Sequence, residues 1–376
     1  MTVTERELEA RLAEIEDPAL DADIVSVGLV NDVSIDDGTA TVSLAFNTPY
    51  APAEIEIGNR IREAVTDAGL EPDLTAQISD EHGFDQEVLP GVRNVIAVAS
   101  GKGGVGKTTV AANLAAGLED MGARVGILDA DVHGPNVPRI LSIEDENPAV
   151  THGDDLVPPE ADGVRVISMG FLTRNQDDPA IMRGPMVNKV MMNFLEGVEW
   201  GFLDYLIVDL PPGTGDAALN LLQSMPVTGA VVVTTPQQMA VDDTRKGVRM
   251  FQEHNAAVLG VVENMSTFQC PSCGDEHGLF GRDGATGISE DYDVPLLGRL
   301  PLHPGFGAEG AEVPPAKDED NPVRDHVLEL VETITNRTSE INRRTVAEHV
   351  GYLADEGDDT ASDEDAIDGP TSAGRE

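Results

Sequence analysis

The run Ser100-Gly101-Lys102-Gly103-Gly104-Val105-Gly106-Lys107-Thr108-Thr109 has the residue types and spacing to hold a polyphosphate. Gly101, Gly106, Lys107 and Thr108 satisfy G-x-x-x-x-G-K-[ST], and the apolar stretch Val95–Ala99 leads into it. Glycines let successive backbone N–H groups turn inward on phosphate oxygens, and the helix that follows adds its positive end. In that arrangement Lys107 reaches the β- and γ-phosphates and the Thr108 hydroxyl ligates Mg²⁺, with Gly103, Gly104, Val105 and Thr109 completing the ATP cradle. Gly101, Gly103 and Gly106 also spell the dinucleotide fingerprint G-x-G-x-x-G. That fingerprint needs neither Lys107-Thr108 nor a distant aspartate ending a buried strand. Tyr205-Leu206-Ile207-Val208-Asp209 supplies such an aspartate, expected in the Mg²⁺ shell.

Two acidic loops complete the expected site. Val125–Leu128 ends in Asp129-Ala130-Asp131-Val132-His133. Asp131 is placed to orient an attacking water, and Asp129 belongs nearer the metal shell or Lys107. His133 reads as a loop residue. The loop Leu210–Asp216, rich in backbone amides, can respond to the presence of a γ-phosphate. A second constellation lies far along the chain: Cys270-Pro271-Ser272-Cys273, the only cysteines present. A complete thiolate site for a [4Fe–4S] cluster or for zinc needs four thiolates. Two per chain therefore imply a site built across a two-fold axis. A bridging zinc would use the same ligands, and His277 is a further candidate ligand or a plain surface residue. A redox dithiol fits less well, because the motif does not open a helix in a thioredoxin pattern.

These groups need a scaffold, and the apolar runs provide one. Val95–Ala99, Val125–Leu128, Val164–Ser168, Tyr205–Val208, Ala230–Val233, Val258–Val262 and Leu296–Leu300 are short and unalternated, and most are separated by helix-length segments. This predicts a doubly wound α/β domain with a mostly parallel sheet covered on both faces. Ligands in such sheets bind beyond the carboxyl ends of the strands, where the candidate residues fall. Residues 1–85 read as a small α+β domain. Helices are expected over Glu5–Ile15 and Ala53–Ala68, and strands over Ile24–Val33, Thr39–Phe46 and Leu74–Ile78. Residues 86–93 have linker composition, 94–350 form the ATPase domain, and 351–376 read as an acidic disordered tail.

Composition narrows the function classes. Carboxylates outnumber Lys plus Arg by 68 to 24, and the excess covers the first 90 residues, the loops and the tail. Spread this evenly, it reads as the solubility device of a halophile, where salt screens self-repulsion. A broad basic face for nucleic acid is disfavoured. No run approaches the roughly 18 apolar residues of a membrane span. The charged start MTVTERELEARLAEIEDP has no apolar signal region, so a cytoplasmic location is expected.

Taken in order, SGKGGVGKTT, DADVHGPNVP, MRGPMV, WGFLDYLIVDLPPGTGD, TTPQ, GVVENMSTFQCPSCG and LLGRLPL resemble the Mrp family of iron–sulfur cluster carrier ATPases, from about Asn94 to Arg324. Residues 1–85 resemble the small domain that precedes the ATPase in many members. Lys102 matches the second lysine of the deviant Walker A loop. A lysine on the outer arm cannot easily serve its own γ-phosphate, and the resemblance implies that it acts on the nucleotide of a second subunit in a homodimer. The resemblance also implies a cluster bridging Cys270 and Cys273 of two subunits, loaded by a donor and passed to apoproteins. Slow ATP hydrolysis is expected, since nothing resembles an arginine finger. Asn264 matches a position that contacts adenine in relatives, although its amide also suits capping a loop. Ala51 stands where the family often has a cysteine, which leaves that domain a docking role. The rival is a partition or positioning ATPase with a structural bridging zinc; it leaves the C-x-x-C without a cargo.

Overall fold

The structure, a computed structural model, describes residues 3–78, 88–132, 134–172, 184–270, 272–273, 275–306 and 313–353. The expected tail beyond Leu353, linker residues 86–87, His133, Pro271 and Gly274 lie outside the described residues, as do Met182 and Arg183.

The N-terminal part begins with α1 (Glu5–Leu12), capped by Thr4 in a reciprocal bond with Glu7. It continues through β1 (Val30–Asp36), β2 (Thr39–Leu44), α2 (Pro52–Asp67) and β3 (Glu71–Ala76). The β1–β2 pair is antiparallel and β2–β3 is parallel. Leu8, Leu12, Ile57, Ile61 and Val65 close its core. The strand expected over Ile24–Val33 begins only at Val30. Asp23 is the reason: its Oδ1 accepts the N–H groups of Val25 and Ser26, winding Ile24–Leu29 into turns that bury Ile24, Val27 and Leu29.

The second part is an eight-stranded sheet. In chain order its strands are β4 (Val92–Ala99), β5 (Val125–Asp129), β6 (Glu160–Ala161), β7 (Val164–Ser168), β8 (Leu203–Asp209), β9 (Gly229–Thr234), β10 (Val258–Glu263) and β11 (Leu296–Arg299). Across the sheet they run β6-β7-β5-β8-β4-β9-β10-β11, and only the β6–β7 pair is antiparallel. The longer helices between them are α3 (Lys107–Asp120), α4 (Gly184–Glu196), α5 (Asp216–Ser224), α6 (Gln238–Glu253) and α7 (Gly284–Tyr292). β4 explains the unalternated runs. Ile96 and Val98 enter one core layer and Val95 and Ala97 the other, so both faces exclude water.

A last helix, α8 (Arg324–His349), runs 26 residues and ties the two parts together. Val327, Leu330, Val331 and Ile334 join the core beside the sheet, whereas Val346 and Ala347 join the N-terminal core. Between these ends lies a buried polar network. Asn342 Nδ2 donates to Thr48 Oγ1 and to Asn94 Oδ1, each at 2.8 Å. Asn94 Nδ2 donates to the Asn47 carbonyl at 2.7 Å, and the Tyr205 hydroxyl donates to the Pro49 carbonyl at 2.6 Å. Glu54 accepts from the Ser339 hydroxyl and the Thr48 N–H. Ala51, buried, is the N-cap of α2.

Burial pushes the Glu54 carboxyl up to about 7, against the opposing pull of Ser339, Arg343 and Thr48. The native state therefore holds this proton where the unfolded chain has released it. The contribution of Glu54 to stability is full below the unfolded value near 4.5 and is lost as pH rises through about 7. Glu54→Gln is expected to remove up to about 3 kcal/mol of that loss. Urea unfolding of parent and variant between about pH 5 and pH 8 checks this; equal slopes would refute it.

Candidate nucleotide site and cysteine hairpin

Because β5, β8 and β4 are neighbours, their carboxyl ends bring together Asp129, Asp209 and the loop after Ala99. The glycine loop wraps into α3, whose N-cap is Gly106 at φ 87°, a left-handed conformation that suits glycine. A Cβ at Gly101 would fall 2.2 Å from the Asp243 carbonyl carbon, so the close approach of α6 to the loop requires glycine there. Beside it lies a cavity of about 740 Å³, lined among others by Gly103, Gly104, Lys107, Thr108, Thr109 and Asp131.

Lys107 is buried, and its Nζ lies 2.5 Å from Asp209 Oδ1. Thr108 Oγ1 donates to Asp209 Oδ2 at 2.7 Å. One carboxylate thus holds both the expected phosphate ligand and the expected metal ligand. Burial pushes the Asp209 carboxyl upward, and the Lys107 ammonium and the Thr108 hydroxyl pull it back. Asp129 is fully buried, and its oxygens accept from Asp131 N–H, Val137 N–H and the Ser168 hydroxyl. Burial, reinforced by the charge of Asp209, pushes Asp129 up to about 7. Asp131 Oδ1 accepts from Gly134 N–H, and its side chain lines the cavity. Among the three aspartates, Asp209 contacts Lys107 and Thr108, Asp131 lines the cavity, and Asp129 is bonded to loop donors. The Thr108 hydroxyl and the Asp209 carboxylate are hard oxygen donors beside a phosphate cradle, a donor set that fits Mg²⁺.

Lys102 is half-buried, does not line the cavity, and its ammonium meets no partner among the described residues. Asn264 is buried at the end of β10. Its Nδ2 donates to the Val105 carbonyl at 2.8 Å, and its Oδ1 accepts from Met265 N–H at 2.9 Å. Its amide therefore caps the glycine loop, the use its residue type also suggests. Ser168 on Asp129 had no local sequence signal, because the contact joins neighbouring strands.

The cysteines sit at the tip of a two-stranded hairpin in which Phe268 pairs with His277 and Gln269 with Glu276. Cys270 N–H donates to the Asp275 carbonyl at 2.9 Å and closes the hairpin. Cys270 is half-buried and Cys273 exposed, with the Cys273 thiol 3.4 Å from Asp275 Oδ2. Backbone N–H groups of Ser272 and Cys273 donate to the Cys270 sulfur and hold its thiol below the usual value. This favours the thiolate that metals require. His277 is exposed in the returning strand. Among the described residues no group of three or more His, Cys, Asp or Glu is placed to hold a metal.

A parallel sheet that delivers a glycine loop, a lysine and a strand-end aspartate to one edge defines a P-loop nucleoside triphosphatase. Residues 91–335 match the model of the NUBPL iron-transfer P-loop NTPase family, and the chain belongs to that family. Residues 5–76 match a second model, that of an iron-sulfur cluster assembly protein. The chain is 44% identical over 308 residues to the iron-sulfur cluster carrier protein of Synechocystis sp., covering 80% of this chain and 87% of that one. It is 40% identical to the protein of the same name from Haemophilus influenzae, over 78% of this chain and 80% of that one. Among solved structures it is similar to the nucleotide-binding protein in complex with ADP from Archaeoglobus fulgidus. That match has 35% identity and a TM-score of 0.51, covering 69% of this chain and 93% of that one. No helix among the described residues is long and apolar enough to cross a membrane.

Proposed function

We propose that the protein is an ATP-dependent iron–sulfur cluster carrier: a homodimer that takes a [4Fe–4S] cluster from a donor and passes it to apoproteins. The observation that carries this reading is the cysteine hairpin. It presents two thiols, and among the described residues no group of three or more His, Cys, Asp or Glu completes a metal site within one chain, on a protein whose family is described by iron transfer. Two copies supply the four thiolates that a [4Fe–4S] cargo needs. Held by two thiols per side near the surface, the cluster would leave readily, as carriage requires.

Hydrolysis is assigned as follows. The backbone N–H groups of Gly101–Thr109 cradle the phosphates, and Lys107 neutralises the β- and γ-oxygens. Asp131 orients the attacking water, while Thr108 and Asp209 hold Mg²⁺, with Asp129 near the metal shell and fastening Asp131 and Val137. Bound Mg²⁺ supplies charge neutralisation at the β- and γ-phosphates. Lys102 reaches the partner's nucleotide, consistent with an ammonium that meets no partner among the described residues, and Asn264 serves the adenine as well as the loop. Turnover is slow, and ATP changes the dimer geometry around the cluster. Residues 1–85 form a docking domain, joined by 86–93 to the ATPase domain at 94–350, with 351–376 a solvating tail. The acidic surface suits a salt-rich cytoplasm.

Anaerobic reconstitution with iron and sulfide, followed by metal analysis and absorption spectroscopy, tests the proposal. The parent is expected to bind about four iron per dimer, and Cys270→Ser with Cys273→Ser to bind background iron. A double variant that retains the parent's iron would sink the carrier reading. One zinc per dimer and no iron would instead support a partition-type ATPase with a structural metal.

A further inference from the structure

The phosphate loop and the cysteine hairpin are joined by a hydrogen-bonded path through Asn264–Gln269. It starts at the Val105 carbonyl, which accepts from Asn264 Nδ2 at 2.8 Å. The approach depends on the next residue: a Cβ at Gly106 would stand 2.1 Å from that nitrogen. Asn264 is anchored to the sheet by its own N–H, which donates to the Thr234 carbonyl at 2.8 Å. Its Oδ1 accepts from Met265 N–H, and Met265 is held at φ 55°, left-handed for a residue with a side chain. Ser266 follows, with both N–H and hydroxyl donating to the Leu300 carbonyl. Thr267 accepts from Leu302 N–H at 2.7 Å, and Phe268 bridges to Leu302. Phe268 and Gln269 then form the first strand of the hairpin that carries Cys270.

Free rotation is restricted on both sides of Met265, because Asn264 is bonded to β9, Ser266 and Thr267 to the 300–302 segment, and Phe268–Cys270 to residues 275–277. The amide of Asn264 hydrogen-bonds this strut to the glycine loop, and the Met265 side chain lies near Gly106 beside it. When phosphates draw the loop N–H groups inward, the peptide carrying the Val105 carbonyl must reorient. Either the Asn264 bond follows it, and with it Met265 and the hairpin, or the bond breaks and the left-handed turn at Met265 loses its clamp.

We propose that Asn264 is the positioning residue that couples nucleotide occupancy of the phosphate loop to the exposure of Cys270 and Cys273. The inference rests on the carrier reading for its purpose, since it gives ATP a lever on the cargo ligands. Its physical content is independent of which metal the thiols hold. Allostery of this kind is a coupling free energy carried by an element with two arrangements, here the Asn264–Met265 turn.

The test uses the reduced, metal-free full chain, whose only thiols are Cys270 and Cys273. Their rate of reaction with a disulfide reagent is measured without nucleotide and at saturating MgATP, with saturation set for each variant by a separate binding titration. In the parent, nucleotide is expected to change the rate about fivefold or more. Asn264→Asp keeps an acceptor for Met265 N–H but cannot donate to Val105, and its ratio should fall close to one. Met265→Gly leaves the Val105 bond in place and removes the left-handed restraint beyond it; its ratio should also shrink while nucleotide binding is retained. This second variant decides the matter if Asn264→Asp folds poorly or binds no ATP. A parent that shows no nucleotide effect overturns the proposal, as does a Met265→Gly ratio equal to the parent's. Because no iron enters this assay, failure here leaves the reconstitution result untouched, and failure of reconstitution leaves this one readable.

Discussion

Lys107→Met is expected to lower the rate of ATP hydrolysis by about 10²–10³, the cost of removing one preorganised group that stabilises transition-state charge. The lysine is buried against Asp209 at 2.5 Å, so it is preset beside the cradle rather than recruited from solvent. Its loss has a second consequence. Asp209 has no exposure, and burial already pushes its carboxyl upward against the pull of Lys107. Without that ammonium the upward push of burial is opposed by the Thr108 hydroxyl alone. Methionine fills the same volume, so the fold should survive. Phosphate release at saturating MgATP, beside circular dichroism of both proteins, checks the expectation. Activity within about tenfold of the parent would show that Lys107 is not the phosphate ligand. Arginine should not rescue it, because a planar fork cannot replace a compact ammonium in a buried slot.

Arg343→Met is expected to destabilise the fold by about 3–5 kcal/mol, the range for removing one partner of a buried ion pair. Arg343 is among the largest fully buried side chains, and its Nε meets Asp17 Oδ2 at 2.6 Å. The same guanidinium also reaches the Ser339 hydroxyl, which in turn donates to Glu54. Methionine replaces the stem and leaves Asp17 charged, dry and without a cation. Asp17→Asn alone should cost a similar amount, and the double variant well under the sum, because no unpaired charge then remains. Chemical denaturation of the four proteins gives the coupling directly. An additive cycle would show that the pair does not hold α8 to the N-terminal core. Loss of this contact should loosen residues 1–78 ahead of the sheet, since Val346 and Ala347 lie in that core.

The two predictions differ in how they could be foreseen. Lys107, Thr108 and the glycines sit within one ten-residue stretch between a strand and a helix. Local spacing alone carries their chemistry, and Asp209 follows from the rule that parallel strands deliver ligand groups at their carboxyl ends. The same reasoning assigned strands β4, β5 and β7–β11, because a strand buried on both faces has an apolar run that no other use explains. It failed at Ile24–Leu29, where Ile24, Val27 and Leu29 are buried in turns rather than in a strand, since Asp23 offers the N–H groups of Val25 and Ser26 a side-chain acceptor instead. It also passed over α8 as a link, because nothing local to Arg343 announces a partner at Asp17, 326 residues away.

The amino-acid order by itself determined the phosphate loop, the strand-end aspartates, the paired thiols and the acidic surface, all of which depend on neighbours in the chain or on composition. Only the tertiary structure decided what Asn264 touches, that Asp209 serves Lys107 and Thr108 together, and that α8 spans both cores. Those contacts join residues far apart in sequence. Whether two such side chains meet is set by strand order and helix packing, which periodicity can suggest but whose partners it cannot pair.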